Sequence, residues 1–415
     1  MQNRVMQILS SRKMLLMLLM GYASGLPISL KGSTLQAWMT DEHVDLKTIG
    51  WFSLVGIPYT QKYLWAPLMD RFVPPFLGRR RGWMLICQLA LMVVIVAMGF
   101  TNPGRAPYAI AALAVMLSFF GASQDIVVDA YRAEYLSKDE LGPGVGVAIL
   151  GYRVAMITSG ALALMLAEYL PWRVVYCLMA GLMSIGILAT WISEEPEHVP
   201  TPPRTLREAV FMPFVEYFSR PCSVEILAFV ILYKFGDVLA VSLMTPFLLK
   251  VGYLKVQIGA VAKGIGLTLT IGGSLLGGLL LAKLSMKQAL LYFGFLQAVS
   301  ILCFSILASH PPDVGLMGAC VGFENFCNGL GNAAFTACLM GLCNKRFTAT
   351  QFALLTSLSA LTREFLGGPA AWLADSFGWQ WFFVISTMTA LPGMVLLVMR
   401  FDYWQQDEEL EVMKA

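Results

Sequence analysis

The chain has 415 residues, 57% hydrophobic and 13% charged, with a mean hydropathy of +0.68. An average soluble domain carries about 25% charged residues, so water is excluded as the main solvent. A formal net charge of +3, scattered along the chain, gives no reason to expect a nucleic-acid partner. The eight cysteines are single, mostly inside apolar runs and without a CxxC pair, so no disulfide framework, metal site or cofactor is expected.

From the N-terminus, the first apolar run opens at Met14 after Arg12-Lys13 and reaches about Met39. It is too long for a signal-peptide core and lacks a cleavage site, so it is expected to remain as the first span. Later apolar runs predict spans near 48–69, 82–100, 107–131, 144–167, 172–192, 224–249, 256–281, 286–308, 314–342, 348–373 and 379–400. The expected fold class is therefore an all-α integral membrane protein of about twelve transmembrane helices. With this segmentation, one set of connections holds about five basic residues and the other, with both termini, about eighteen. The positive-inside rule then predicts cytoplasmic termini.

The longest connection, Ser193 to Pro221, is polar and proline-rich. It predicts two six-helix halves, 1–192 and 223–402, joined by a cytoplasmic linker at 193–222 and followed by an acidic tail at 403–415. A parallel duplication agrees with this division. Ser159 to Trp172 aligns without gaps onto Leu366 to Trp379, an offset of about 207 residues, with Gly160/Gly367, Ala163/Ala370, Ala167/Ala374 and Trp172/Trp379 identical and Tyr176/Phe383 similar. Chance likeness between apolar helices is the alternative reading.

An isolated charge inside a span costs several kcal/mol on insertion scales, so each should face a partner, a cavity or a substrate. Asp125 and Asp129 share one face of the fourth span beside Gln124, and Arg153 stands at a comparable depth on the fifth. These carboxylates suit proton uptake and release, or a structural ion pair with Arg153. Lys234 and Asp237 share a face of the seventh span, where self-pairing competes with ligand binding. The tenth span presents Glu324, Asn325, Asn328 and Asn332 among glycines, a pattern that suits a hydrogen-bonding wall or close helix packing. Lys31, Tyr59, Lys62 and Arg363 add further polar groups, with snorkelling the alternative for Lys31. Glycines Gly21 and Gly25, with Pro27, interrupt the first span, and six glycines crowd the eighth, which suits either bending or close packing. Among these groups, Lys31, Tyr59, Lys62, Gln124, Arg153, Lys234, Asp237, Asn325, Asn328 and Arg363 are candidate cargo contacts. Asp125, Asp129 and Glu324 are candidates for proton coupling. No Walker loop, nucleophile triad or HExxH stretch is present, so a solute transporter is expected rather than an enzyme or an ATP-driven pump.

Asp70-Arg71, followed by Gly78-Arg79-Arg80-Arg81-Gly82, resembles the major facilitator signature with a longer, proline-containing insert. The resemblance implies a cytoplasmic gate in which acid and arginines bridge the halves. Asp70 can sit near another helix's N-terminus, while Arg79 and Arg80, with Arg71 close by, meet carboxylates such as Glu134. An ordinary positive-inside loop is the alternative.

More specific strings are Gly21-Tyr-Ala-Ser-Gly-Leu-Pro27, Leu64-Trp-Ala-Pro-Leu-Met-Asp-Arg71, Ala122-Ser-Gln-Asp-Ile126, Leu150-Gly-Tyr-Arg153, Phe323-Glu-Asn325 and Leu342-Cys-Asn-Lys-Arg-Phe-Thr-Ala-Thr-Gln-Phe-Ala-Leu354. They resemble the AmpG muropeptide permeases along essentially the whole chain. This resemblance implies a twelve-span facilitator that works as a monomer by alternating access in the Gram-negative inner membrane. Its cargo would be N-acetylglucosaminyl-1,6-anhydro-N-acetylmuramic acid and its peptides, imported with protons in peptidoglycan recycling and β-lactamase induction. Another facilitator, such as an acetyl-CoA carrier or sugar/H+ symporter, is the alternative, and a membrane-embedded enzyme or passive channel stands further off.

Overall fold

The computed structural model describes residues 10–44, 48–49, 52–196, 205–220, 222–344 and 347–414. Side chains are described for these except at 53, 138, 206–207, 255–256, 262–263, 360–365, 367–368 and 405–414. Among the described residues all regular structure is helical. The chain forms two compact units. An N-terminal unit contains residues 1–213 and 343–357, and a C-terminal unit contains 214–342 and 358–415.

In the N-terminal unit, α1 (Arg12–Lys31) is followed by α2 (Ser33–Asp41), α3 (Ile57–Thr60), α4 (Ala66–Arg71), α5 (Arg79–Gly99), α6 (Pro107–Tyr135), α7 (Lys138–Ile157), α8 (Ala163–Ala167), α9 (Trp172–Leu182) and α10 (Ser184–Ile192). Helix α11 (Leu206–Ser219) leads into α12 (Ser223–Ser242), α13 (Met244–Val251), α14 (Lys255–Ala260), α15 (Leu267–Leu281), α16 (Met286–Ala308), α17 (Val314–Gly341) and α18 (Thr348–Lys414). Helix α18 turns a corner at Gly378, whose φ of 76° suits a residue without a side chain.

Nine helices among the described residues are long and apolar enough to cross a membrane. The difference from about twelve has local causes. The second apolar run is not one helix: it divides into the 3₁₀ turns Phe52–Gly56 and Lys62–Leu64 and the short α3 and α4, with Gly56, Pro58 and Pro67 among them. Helix α17 is 28 residues long, but Glu324 and its asparagine row lower its hydropathy. The helix opening at Thr348 merges with the following one across Gly378, and among the described residues it contributes one membrane-length stretch, Pro369–Trp404.

The glycines of the first span do not break it. Helix α1 continues through Gly21, Gly25 and Pro27 and ends before Gly32, where the backbone takes φ −103° and ψ −113°. Close packing is their use: a Cβ on Gly25 would lie 2.3 Å from the Tyr152 carbonyl oxygen, and one on Gly151 2.1 Å from that of Leu18. Helices α1 and α7 therefore meet backbone to backbone, which small residues alone permit. The C-terminal unit repeats the device between α15 and α17, where a Cβ on Gly273 would lie 2.1 Å from the Phe326 carbonyl oxygen.

Matching features recur in the two units. The α1–α2 span breaks at Gly32, and the α12–α13 span breaks at Leu243. Beyond each break an aromatic ring packs on the duplicated segment. Trp38 lies 5.8 Å from Trp172 and 5.0 Å from Tyr176, while Phe247 lies 5.3 Å from Trp379 and 4.7 Å from Phe383, all between ring centroids. Since Trp172/Trp379 and Tyr176/Phe383 are the pairs aligned by sequence, the same aromatic contact is built twice from different residues.

Candidate functional site

Three polar groups stand inside these helical units. The first lies around the end of α4. Gly78, with φ 84°, precedes α5 and places Arg79 and Arg80 at the helix start. A Cβ at Gly78 would come within 2.8 Å of the Glu195 carboxyl carbon, so that side chain would have to shift to admit one. Glu195 accepts from the backbone N–H groups of Arg80 at 2.7 Å and Arg81 at 3.2 Å, satisfying helix-terminal donors. The Arg80 guanidinium is fully buried. It donates through Nε to Glu134 at 3.0 Å, through Nη2 to Glu134 at 2.5 Å, and through Nη2 to Asp70 at 2.9 Å. Arg79 Nη2 lies 3.4 Å from Glu134. Asp70 uses its other oxygen to accept from the backbone N–H of Thr350 at 2.9 Å and its hydroxyl at 2.7 Å. Thr350 lies in the first turn of α18, so the carboxylate sits at the positive end of that helix. Arg71 stands over the Phe72 ring at 5.5 Å, and its Nε has no hydrogen-bond partner among the described residues.

The second group lies within the N-terminal unit, where the broken segment 52–64 meets α1 and α6. Lys31, in the last turn of α1, places its ammonium 3.7 Å from the centre of the Tyr59 ring. This cation–π contact, rather than snorkelling, is its observed setting. The Tyr59 hydroxyl packs against Gly121, where a Cβ would lie only 2.2 Å away. Among the described residues, Tyr59 Oη, both amide atoms of Gln124 and Asp125 Oδ1 are buried without a hydrogen-bond partner. Asp125 is under the electrostatic influence of Lys62, Asp129 and Arg132, and itself acts on Lys31 and Tyr59. The ion partner observed for Asp129 is Arg132 on its own helix, 3.2 Å away. Arg153 makes a 3.9 Å contact to Met156 Sδ and lies electrostatically close to Tyr152.

The third group is in the C-terminal unit. Asp237, Glu324, Asn325 and Asn328 line a cavity of about 370 Å³ with Ser242 and Thr245. Asn328 donates to Asp237 Oδ2 at 2.9 Å and accepts from Asn332 at 2.5 Å. Asn325 donates to Glu324 at 2.9 Å and accepts from Thr270 at 2.9 Å. Lys234 Nζ is 3.9 Å from Asp237 Oδ2 and 5.7 Å from the Phe335 ring centre. The asparagine row thus falls into two hydrogen-bonded groups, Asp237–Asn328–Asn332 and Thr270–Asn325–Glu324, which hold Asn325 and Asn328 in the cavity wall. Arg363 lies outside the residues whose side chains are described.

Thr350, Glu195 and Arg132 join these groups without having been singled out by sequence. Arg132 carries a readable signal, its i,i+3 spacing from Asp129. Glu195 and Thr350 are brought in by tertiary folding and have no equivalent local signal.

Buried charges spread over many membrane-length helices suit the binding and movement of polar solutes or protons. The family model of the Major Facilitator Superfamily matches residues 14–367. Over 400 residues the chain is 47% identical to an anhydromuropeptide permease of Escherichia coli K12, covering 96% of this chain and 82% of the relative. It belongs to the Major Facilitator Superfamily, in its AmpG family. A putative transporter AmpG 4 of Rickettsia conorii is 30% identical over 405 residues, covering 95% and 98% of the two chains. The AmpG-family chain also shares its fold with the proton:xylose symporter XylE, at a TM-score of 0.68 and 12% identity over 97% and 96% of the two chains. A human organic anion transporter, MFSD10, gives a TM-score of 0.62 at 17% identity, covering 95% and 98%. As an AmpG-family facilitator, the protein is a multi-pass membrane transporter.

Proposed function

We propose that the chain imports anhydromuropeptides across the Gram-negative inner membrane by alternating access, driven by the proton motive force. The observation that carries this reading is the 47% identity to the Escherichia coli anhydromuropeptide permease across nearly the whole chain. The cargo, N-acetylglucosaminyl-1,6-anhydro-N-acetylmuramic acid free or with its peptide, offers hydroxyls, amides and carboxylates. These complement the Asn, Gln, Tyr and Lys groups of the second and third polar groups. In this reading Lys31, Tyr59, Lys62, Gln124, Arg153, Lys234, Asp237, Asn325, Asn328 and Arg363 bind cargo. Asp125, Asp129 and Glu324 carry the coupled proton, and Asp70, Arg71, Arg79, Arg80 and Glu134 form a cytoplasmic gate. Both termini are cytoplasmic, the monomer surrounded by lipid is the working unit, and the imported fragments feed peptidoglycan recycling and β-lactamase induction.

Uptake of the labelled anhydro-disaccharide into right-side-out vesicles tests this directly. Saturable accumulation with an imposed proton gradient, and loss of that accumulation when the gradient is collapsed, are expected. Absence of saturable uptake refutes the permease reading, and conductance without accumulation would identify a channel instead.

A further inference from the structure

In the second polar group two ammonium groups outnumber the carboxylate available to them. Lys62 is only 8% exposed, yet among the described residues it makes no hydrogen bond and no ion pair within 4.0 Å. Lys31 contacts the face of the Tyr59 ring and likewise has no carboxylate within that distance among the described residues. Asp125 is electrostatically close to both lysines, but one carboxylate cannot neutralise two cations. Asp129 does not make up the difference, because Arg132 holds it. The nearby Tyr59 hydroxyl and the Gln124 amide are buried without partners among the described residues, so neutral hydrogen-bonding capacity is also unused.

Burying an ammonium without a counter-charge is costly, and the cost falls when an anion arrives. Two ammonium groups beside a single carboxylate favour an anionic ligand. A carboxylate accepts through two oxygens, and therefore can receive charge-assisted hydrogen bonds from ammonium groups while a hydroxyl or amide donates to a remaining lone pair. Helix α1 holds Lys31 and the irregular segment 52–64 holds Tyr59 and Lys62, so ligand binding would draw together elements that covalent structure leaves separate.

We propose that Lys31 and Lys62 form a carboxylate-binding subsite in the N-terminal unit, with the Tyr59 hydroxyl and Gln124 amide as neutral donors, which recognises an acidic group of the cargo. This assignment rests on the permease reading for its cargo, but the chemistry of the site is independent of transport.

The test compares the labelled anhydro-disaccharide, which carries the muramic acid carboxylate, with its primary carboxamide in vesicle uptake. In the wild-type protein the carboxamide should show a KM about tenfold higher, as loss of a charge-assisted contact implies. Lys62→Gln should raise the KM of the acid to that of the carboxamide and leave the carboxamide unchanged, while Lys62→Arg should restore part of the preference. Equal wild-type KM values, or a Lys62→Gln effect of the same size on both cargoes, overturn the subsite. Calorimetric titration of the purified full chain with N-acetylmuramic acid and N-acetylglucosamine separates this from failure of the permease reading. Binding of the acid alone, lost in Lys62→Gln, supports the subsite even without uptake of any cargo; equal behaviour of the two sugars, or binding unaffected by Lys62→Gln, overturns it.

Discussion

Asp70 holds Thr350 twice, accepting from its backbone N–H at 2.9 Å and its hydroxyl at 2.7 Å, while its other carboxylate oxygen receives Arg80 at 2.9 Å. The two residues are 280 positions apart in sequence, yet both belong to the N-terminal unit. The carboxylate is fully buried, so it combines an ion pair, a helix cap and a side-chain hydrogen bond without competition from water.

Asp70→Ala is expected to destabilise the protein by about 3 kcal/mol, because it removes one of the carboxylates that neutralise a buried guanidinium. Thr350→Val should cost only about 1 kcal/mol, since the backbone N–H still donates to Asp70. Thermal unfolding of the purified variants in detergent measures the contrast. Equal losses would mean that the hydroxyl, not the charge network, dominates this junction.

Proton coupling at the Asp125 and Asp129 carboxylates predicts a separation of activities. Asp125→Asn and Asp129→Asn should abolish accumulation of labelled anhydro-disaccharide against a gradient while leaving counterflow in vesicles. Normal accumulation by both variants would remove these aspartates from the coupling mechanism.

The two parts of Tyr59 do different work. Tyr59→Phe retains the ring beneath Lys31 and deletes a buried hydroxyl without a described partner, so its thermal stability should match or exceed that of the wild type. Tyr59→Leu removes the aromatic face as well and should lose about 1 kcal/mol. A larger stability loss for Tyr59→Phe than for Tyr59→Leu would contradict this division.

Backbone contact between α1 and α7 makes Gly25 intolerant of a side chain. Gly25→Leu should prevent accumulation of folded protein, whereas Gly181→Leu should be tolerated, since a Cβ at Gly181 meets nothing within 4 Å. Fluorescence-detected size-exclusion profiles of the two variants provide the comparison, and a monodisperse Gly25→Leu protein would show that the seam yields.

Much of the helical framework follows directly from apolar run length, and the pairs aligned by sequence, Trp172/Trp379 and Tyr176/Phe383, make matching aromatic contacts. Charge pattern likewise brought Arg79 and Arg80 to Glu134. The broken second span was less legible because its apolar composition continues while Gly56, Pro58 and Pro67 accompany short turns. Residue counting placed Arg153 level with the aspartates, but it could not rank that pairing against the nearer Arg132. The Lys31–Tyr59 contact was hidden for another reason: it depends on how an irregular segment returns to the end of α1. Thr350 and Glu195 became visible only when distant parts of the chain were folded onto Asp70 and α5.

The glycine seam between α1 and α7 constrains the route by which the N-terminal unit can reshape. A shift of one helix by a single residue is about 1.5 Å, yet the carbonyl of Leu18 already occupies the place of a side chain at Gly151. The two helices are therefore expected to travel as one plank, with distances between spin labels on them constant through turnover. Deformation is left to the 3₁₀ turns and short helices of 52–71, which makes that irregular stretch the unit's compliant joint.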